Sequence, residues 1–224
     1  MDFIQILAVI GGVAFFILFL VWGISKLYSK QHSRVVASDS ISNKMALEIC
    51  LRDITYKRNI ISNMYFPERS EKSPTVERYR RIEQIVVGAG GVLLLASCRE
   101  TGKIDNRADD IWICIKDDER YEFNSPLASL RAGGGIISGI LEQNGFREKC
   151  VYEAVVFTDN QSEPVDYSDG VVRMSELERL IKDLNDYKRF DPLEQYFIIR
   201  AIKNAGTTKD RLDRKKNGTG EKRK

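Results

Sequence analysis

The sequence predicts a mixed α/β domain with a central sheet, set behind an N-terminal transmembrane helix. Three observations carry this. Phe3 to Ser25 form an uncharged apolar run, FIQILAVIGGVAFFILFLVWGIS. Beyond it, strand-like runs such as RIEQIVVG, VLLLASC and YEAVVFTD alternate with segments of helical spacing. Two of those segments open on capping patterns, Ser175 with Glu178 and Asp191 with Glu194. Strands and helices interleaved in this way define an α/β architecture.

The apolar run comes first. At 1.5 Å per residue it spans about 30 Å, the thickness of a bilayer's hydrocarbon core. A helix satisfies every backbone group of such a run in lipid. A buried core helix would show a polar face, and this run has none. A cleaved signal peptide carries a basic start, a shorter apolar run and a small-x-small site. Here Met1-Asp2 precede the run, and Leu20, Val21 and Trp22 fill its end. Lys26, Lys30 and Arg34 follow it. Basic residues stay on the cytoplasmic side, so the expectation is a single-pass cell-membrane protein with its N-terminus outside and its domain in the cytoplasm. Trp22 and Tyr28 sit near the inner interface in this reading. Gly11-Gly12 would let spans pack closely, though without the GxxxG spacing that favours it.

The expected organisation is a span at 1–25, a juxtamembrane linker at 26–43, a domain at 44–206 and a basic tail at 207–224. About 190 residues follow the span and its flank, enough for one domain with a substantial core. Charge is uneven: residues 1–34 carry +2, residues 207–224 carry +5, and the body, 35–206, is left with −4. A nucleic-acid-gripping domain carries a basic surplus on the face that does it, and this body has none in bulk. The tail, TTKDRLDRKKNGTGEKRK, shows no apolar periodicity and is expected to be disordered. It offers charge to anionic lipid or nucleic acid, and it equally fits a solvated tail. Cys50, Cys98, Cys114 and Cys150 form no CxxC pair and read as core thiols of a reducing compartment. The single histidine, His32, lies beside the span. His-based metal centres, Ser-His-Asp triads and Cys-His dyads are thereby excluded from the domain.

Within the domain, residues 44–52 have helical spacing, with Met45, Ile49 and Leu51 expected on the apolar side. NIISNMYF reads as a strand closed by Pro67, followed by the loop PERSEKSPT. RIEQIVVG and VLLLASC form a hairpin across Gly88–Gly91. IWICIK turns at Asp117-Asp118 into RYEF. Ser125 and Pro126 open a helix that stops at Asn144-Gly145. YEAVVFTD reads as a strand buried on both faces. VVRM is a short strand, and two capped helices close the domain near Gly206.

Neither glycine run is a phosphate cradle. Gly88–Gly91 joins two strands and lacks GxGxxG, and Gly133–Gly135 is not followed by Gly-Lys-Ser/Thr. The run at 133–135 is expected to permit close packing. Metal-dependent nucleases place one carboxylate on a strand and an acid-x-Lys pair on the next, to hold a divalent ion and activate water. The hairpin offers Glu83 on its first strand, and Ala96-Ser97-Cys98 where the pair would stand.

The stretch YFPERS, RIEQIVVGAGGVLLLASCRETGKI, Trp112, YEFNSPL and VYEAVVFTD resembles the NERD (nuclease-related) domain over about residues 44–205. The family pattern runs roughly EIDHIVVGPGGVFVIETKNYSGKI, a Trp, YRFYNPLxQ and VVVFSD. The resemblance implies a restriction-endonuclease-like, PD-(D/E)xK fold, a mixed sheet flanked by helices. It also implies a bacterial source and a link to nucleic-acid processing. The scaffold positions match: the IVVGxGGV hairpin, the Gly102-Lys103-Ile104 turn, Trp112, Pro126-Leu127 and VVFTD. The functional positions do not. The family's aspartate falls on Glu83 and the acid before it on Arg81. The Glu of ExK falls on Ala96, its Lys on Cys98, and a Gln on Ser129. The chain is therefore expected to be a degenerate, pseudoenzyme member that binds or scaffolds at the membrane and needs no cofactor. One alternative is an active nuclease with a relocated site, Glu83 and Glu100 holding Mg²⁺ or Mn²⁺ beside Lys103. Residues 96, 98 and 100 share a strand face, yet Arg99-Glu100-Thr101 also reads as a solvated loop, the preferred reading. Another alternative is a protein-interaction module at the inner membrane. Cys98 lacks a base and reads as core, not as a nucleophile.

Overall fold

The computed structural model describes residues 43–68, 78–146, 150–167 and 170–220. The expected span and most of the linker lie outside them. Among the described residues no helix is long and apolar enough to cross a membrane. The described residues form one compact unit.

The unit is mixed α/β, built on two sheets. Helix α1 (Asn43–Ile54) leads into β1 (Ile60–Glu68), β2 (Arg78–Gly88) and β3 (Gly91–Cys98). Strands β4 (Gly102–Asp105), β5 (Ile111–Lys116) and β6 (Glu119–Asn124) follow, then helix α2 (Pro126–Gln143). The chain continues through β7 (Val151–Phe157), β8 (Ser162–Pro164) and β9 (Val171–Arg173). Helices α3 (Leu177–Asp186), α4 (Pro192–Ala205) and α5 (Lys209–Gly220) close it. The larger sheet has the order β1-β2-β3-β7-β9, and the smaller one β6-β5-β4-β8.

Both faces of the larger sheet are covered. Val87, Leu94, Val155 and Phe157 meet Leu130 and Ile137 of α2 and Ile198 and Ile202 of α4. Ile104, Trp112 and Cys114 of the smaller sheet join that cluster. Val86, Leu93, Leu95 and Val156 meet Leu47 and Leu51 of α1 and Leu177, Ile181 and Leu184 of α3 on the other face. The run Ala154–Phe157 is continuously apolar because this half of β7 lies between β3 and β9 with helices on both sides. Val151 to Glu153, expected to be buried with it, are not, and Tyr152 is exposed. Trp112 stacks on Phe157 and meets Phe123 edge-on, while its Nε1 donates to the Ala108 carbonyl at 3.1 Å.

The structure corrects several expectations. The buried stripe of α1 is Leu47 and Leu51, while Ile49 is exposed. The first strand runs through Pro67, which an edge strand tolerates because it needs no N–H there. Gly102-Lys103-Ile104 is a strand, paired with Ile115 and Cys114 on one side and Ser162 to Pro164 on the other. The expected Ser175–Glu178 box does not form: α3 follows a 3-10 turn, Met174–Glu176, in which the Glu176 carboxylate accepts the Arg173 N–H at 2.8 Å, and α3 itself has no side-chain cap. The tail expected to be disordered contains α5, which buries Leu212 and follows a bridge between Thr207 and Tyr65. The Asp191 cap stands as expected: its Oδ1 accepts from the N–H groups of Leu193 and Glu194 at 2.8 Å. Asp117 and Asp118 both take positive φ, the backbone of a two-residue primed turn.

Candidate functional site

The cleft that gathers several residues singled out in the sequence arises from a slip of alternation in two strands. Ile61 and Met64 of β1, and Ile82 and Ile85 of β2, enter the same core cluster. A spacing of three in place of two means that alternation slips by one residue in each strand. The slip falls at Asn63 and Glu83, which the β1–β2 register skips, and Asn63 takes φ +54°. On the other side, the β2–β3 ladder ends at Gln84 and Leu95. Strand β3 continues to Cys98 against β7. The splayed ladder leaves the Ser97 N–H without a partner on the β2 backbone. Glu83 supplies one from its side chain: its Oε2 accepts that N–H at 2.9 Å. The Ser97 Oγ lies 3.2 and 3.1 Å from the two carboxylate oxygens.

A cavity of about 260 Å³ opens there, lined by Arg81, Glu83, Ala96, Ser97, Pro126, Ser129 and Leu130. Four positions singled out in the sequence thus converge: Arg81, Glu83, Ala96 and Ser129. Arg81 donates to Asn63 Oδ1 at 2.5 Å. Arg80 donates to Ser129 Oγ at 3.3 Å and pairs with Glu68 at 2.6 Å. Cys98 is not a lining residue; it is 2% exposed in the core cluster of Trp112 and Phe157. Burial pushes its thiol up to about 12, so thiolate chemistry at neutral pH is disfavoured.

Glu100 and Lys103 are not drawn into this cleft. The Glu100 carboxylate accepts from the Tyr121 hydroxyl of β6, and its carbonyl accepts from Ser162 Oγ at 2.6 Å. Lys103 stands exposed in β4 between Ile115 and Glu163. Among the described residues no group of three or more His, Cys, Asp or Glu side chains is placed to hold a metal ion. The cleft offers one carboxylate, already bonded to Ser97, beside the Arg81 guanidinium. That set does not fit a divalent cation, which takes several oxygen ligands and is repelled by a fixed positive charge.

A second site escapes sequence reading. Strand β9 pairs only with Val155–Phe157, so the start of β7 has an open edge. A cavity of about 530 Å³ lies along it, with Leu93, Leu127, Arg131, Glu153, Leu180 and Tyr187 among its lining. The Glu153 carboxylate accepts no hydrogen bond from the described residues. Burial holds its carboxyl above the usual glutamate range, and Arg131 pulls it partway back. A Cβ at Gly134 would run into this carboxylate, which accounts for part of the glycine run in α2. The available signal is the one charge inside YEAVVF. Gly90 serves a similar purpose in the β2–β3 turn: its N–H donates to the Leu184 carbonyl at 2.7 Å, and a side chain there would strike the backbone at the end of α3.

Compared with known proteins, the chain matches no family model, no curated protein and no solved structure.

Proposed function

We propose that this chain is a single-pass membrane protein whose cytoplasmic domain is a NERD-like, restriction-endonuclease-like module that binds or scaffolds without cutting. The observation that carries the non-catalytic part is the state of Glu83. The one acid left in the cleft spends both oxygens on Ser97. Its neighbours at the positions of the family's acid and lysine are a methyl group, Ala96, and a buried thiol, Cys98. Losing a ligand from a two-carboxylate metal site lowers rates by orders of magnitude. The uncharged segment Phe3 to Ser25 and its basic flank support the anchor and its orientation. Nucleic acid and anionic lipid are the ligand classes that suit the basic C-terminal residues.

The test is cleavage of DNA and RNA by the full chain in detergent, with Mg²⁺ or Mn²⁺, beside Glu83→Gln and Glu100→Gln. No metal-dependent cleavage is expected. Cleavage abolished by either substitution establishes the relocated nuclease and sinks the binding reading. Salt-sensitive retention of nucleic acid, lost when 207–224 are deleted, assigns that binding to the C-terminal residues.

A further inference from the structure

Helix α4 has two apolar stripes. Ile198, Ala201 and Ile202 are buried against the sheet. Leu193, Tyr196 and Phe197 are 61%, 55% and 47% exposed. Positions 193, 196, 197, 200 and 204 follow i, i+3, i+4, i+7 and i+11 spacing, a single face of a helix. Beside that face a recess of about 330 Å³ lies between Phe146, Phe197, Arg200 and Asn204. Tyr187, just upstream, is 65% exposed with the Arg189 guanidinium over its ring at 5.4 Å.

Cations flank this surface. Residues 187–204 carry Lys188, Arg189, Arg200 and Lys203 against Asp191 and Glu194. Both acids are engaged in the helix cap, Asp191 with the N–H groups of Leu193 and Glu194, and Glu194 with the N–H of Asp191. Lys188, Arg200 and Lys203 are exposed and have no ion-pair partner among the described residues. The segment is thus net positive within a body of net charge −4.

We propose that this face of α4 docks on an anionic lipid surface. The inference rests on the reading of Phe3 to Ser25 as a span, which would hold the domain beside the bilayer at high effective concentration. Tyr, Phe and Leu flanked by unpaired cations suit the headgroup boundary, where ring and aliphatic surface is buried and the cations meet lipid phosphates. A second copy of the chain is the poorer occupant. A two-fold contact sets a patch against itself, and here it would bring like charges together.

The experiment places a reporter on the face in the full chain. Tyr196→Trp is compared with the parent in vesicles containing brominated lipid, either phosphatidylcholine alone or mixed with phosphatidylglycerol. The expected result is quenching at position 196 at least about twofold greater in the anionic vesicles, reversed by Arg200→Glu with Lys203→Glu. These residues are exposed, so circular dichroism should match the parent throughout. Carbonate extraction of the same vesicles tests the span separately. Carbonate resistance without quenching at position 196 overturns the docking proposal. Quenching with loss of carbonate resistance supports the docking and overturns the span. Quenching replaced by self-crosslinking at position 196 assigns the face to a second copy and overturns the lipid reading.

Discussion

Glu83 and Glu153 stand on strands separated only by β3, and each lines a cavity. Their circumstances are opposite. Glu83 is held by the N–H and hydroxyl of Ser97 where two strands part. The Glu153 carboxylate is tucked over Gly134 at an open sheet edge with no hydrogen bond from the described residues, and its compensation comes from Arg131. Glu83, the acid singled out in the sequence, is therefore a strut, while Glu153, which no motif marks, has only Arg131 to offset its burial. A carboxylate's position in a pattern and its chemical availability are separate properties, and only its partners decide the second.

The sharpest way to break the comparison is to restore what the cleft lacks. Cys98→Lys supplies the lysine that the proposed nuclease-like reading lacks but sets an ammonium in the core beside Trp112 and Phe157. The expected loss is roughly 3–5 kcal/mol, the scale of an unpaired buried charge, read by thermal unfolding. Parental stability in the Cys98→Lys variant would show that position 98 still opens into the cleft. Next comes Glu83→Ala, which strands the Ser97 N–H and is expected to remove about 1–3 kcal/mol. Glu83→Gln keeps an acceptor and should lose under about 1 kcal/mol. Equal losses from the two substitutions would contradict the strut.

How much of this is legible in the sequence follows from what each feature depends on. The hairpin at 81–98, the Ser125-Pro126 helix start and the Asp191 cap are local, set by residues close to one another along the chain. Strand β8 is not legible because its partner lies far away in sequence, Ser162 against Gly102, and β4, though it also pairs with nearby β5, is a four-residue strand too short to show alternation. The buried stripe of α1 is ambiguous because Ile49 and Leu51 are equally apolar, and only the sheet beneath selects Leu47 and Leu51. Helix α5 is hidden because a polar composition masks one anchoring side chain, Leu212. That Arg81, Glu83, Ala96 and Ser129 line one cavity is not a local property, since they come from β2, β3 and α2. The bond from Ser97 to Glu83 is not legible either, since it exists only where the β2–β3 ladder stops.

Gly134→Ala probes the other half of the comparison. In an exposed helix this change stabilises by about 1 kcal/mol through helix propensity. Here the new methyl meets the end of the half-exposed Glu153 side chain, which must shift to make room. The expected sum is a smaller gain, restored to about 1 kcal/mol when Glu153→Ala clears the space, so the double variant is more stable than Glu153→Ala alone. A double-mutant cycle measures that coupling directly. Additive effects would mean that the carboxylate swings clear without cost.

The smallest effect carries a pH signature. Because burial holds the Glu153 carboxyl above its ordinary value, the folded chain binds this proton more tightly than the unfolded chain. Stability linked to Glu153 therefore falls as pH rises from the ordinary glutamate range through the folded value, and stays reduced above it. Glu153→Gln removes the penalty. It should raise stability at neutral pH by less than about 1 kcal/mol, because solvent screens a half-exposed group. The advantage should vanish in acid, where both forms are neutral. Arg131→Gln should act in the reverse sense, since it withdraws the charge that offsets burial. A Glu153→Gln gain that is flat with pH would assign the effect to packing against Gly134, leaving the comparison with Glu83 to rest on hydrogen bonding alone.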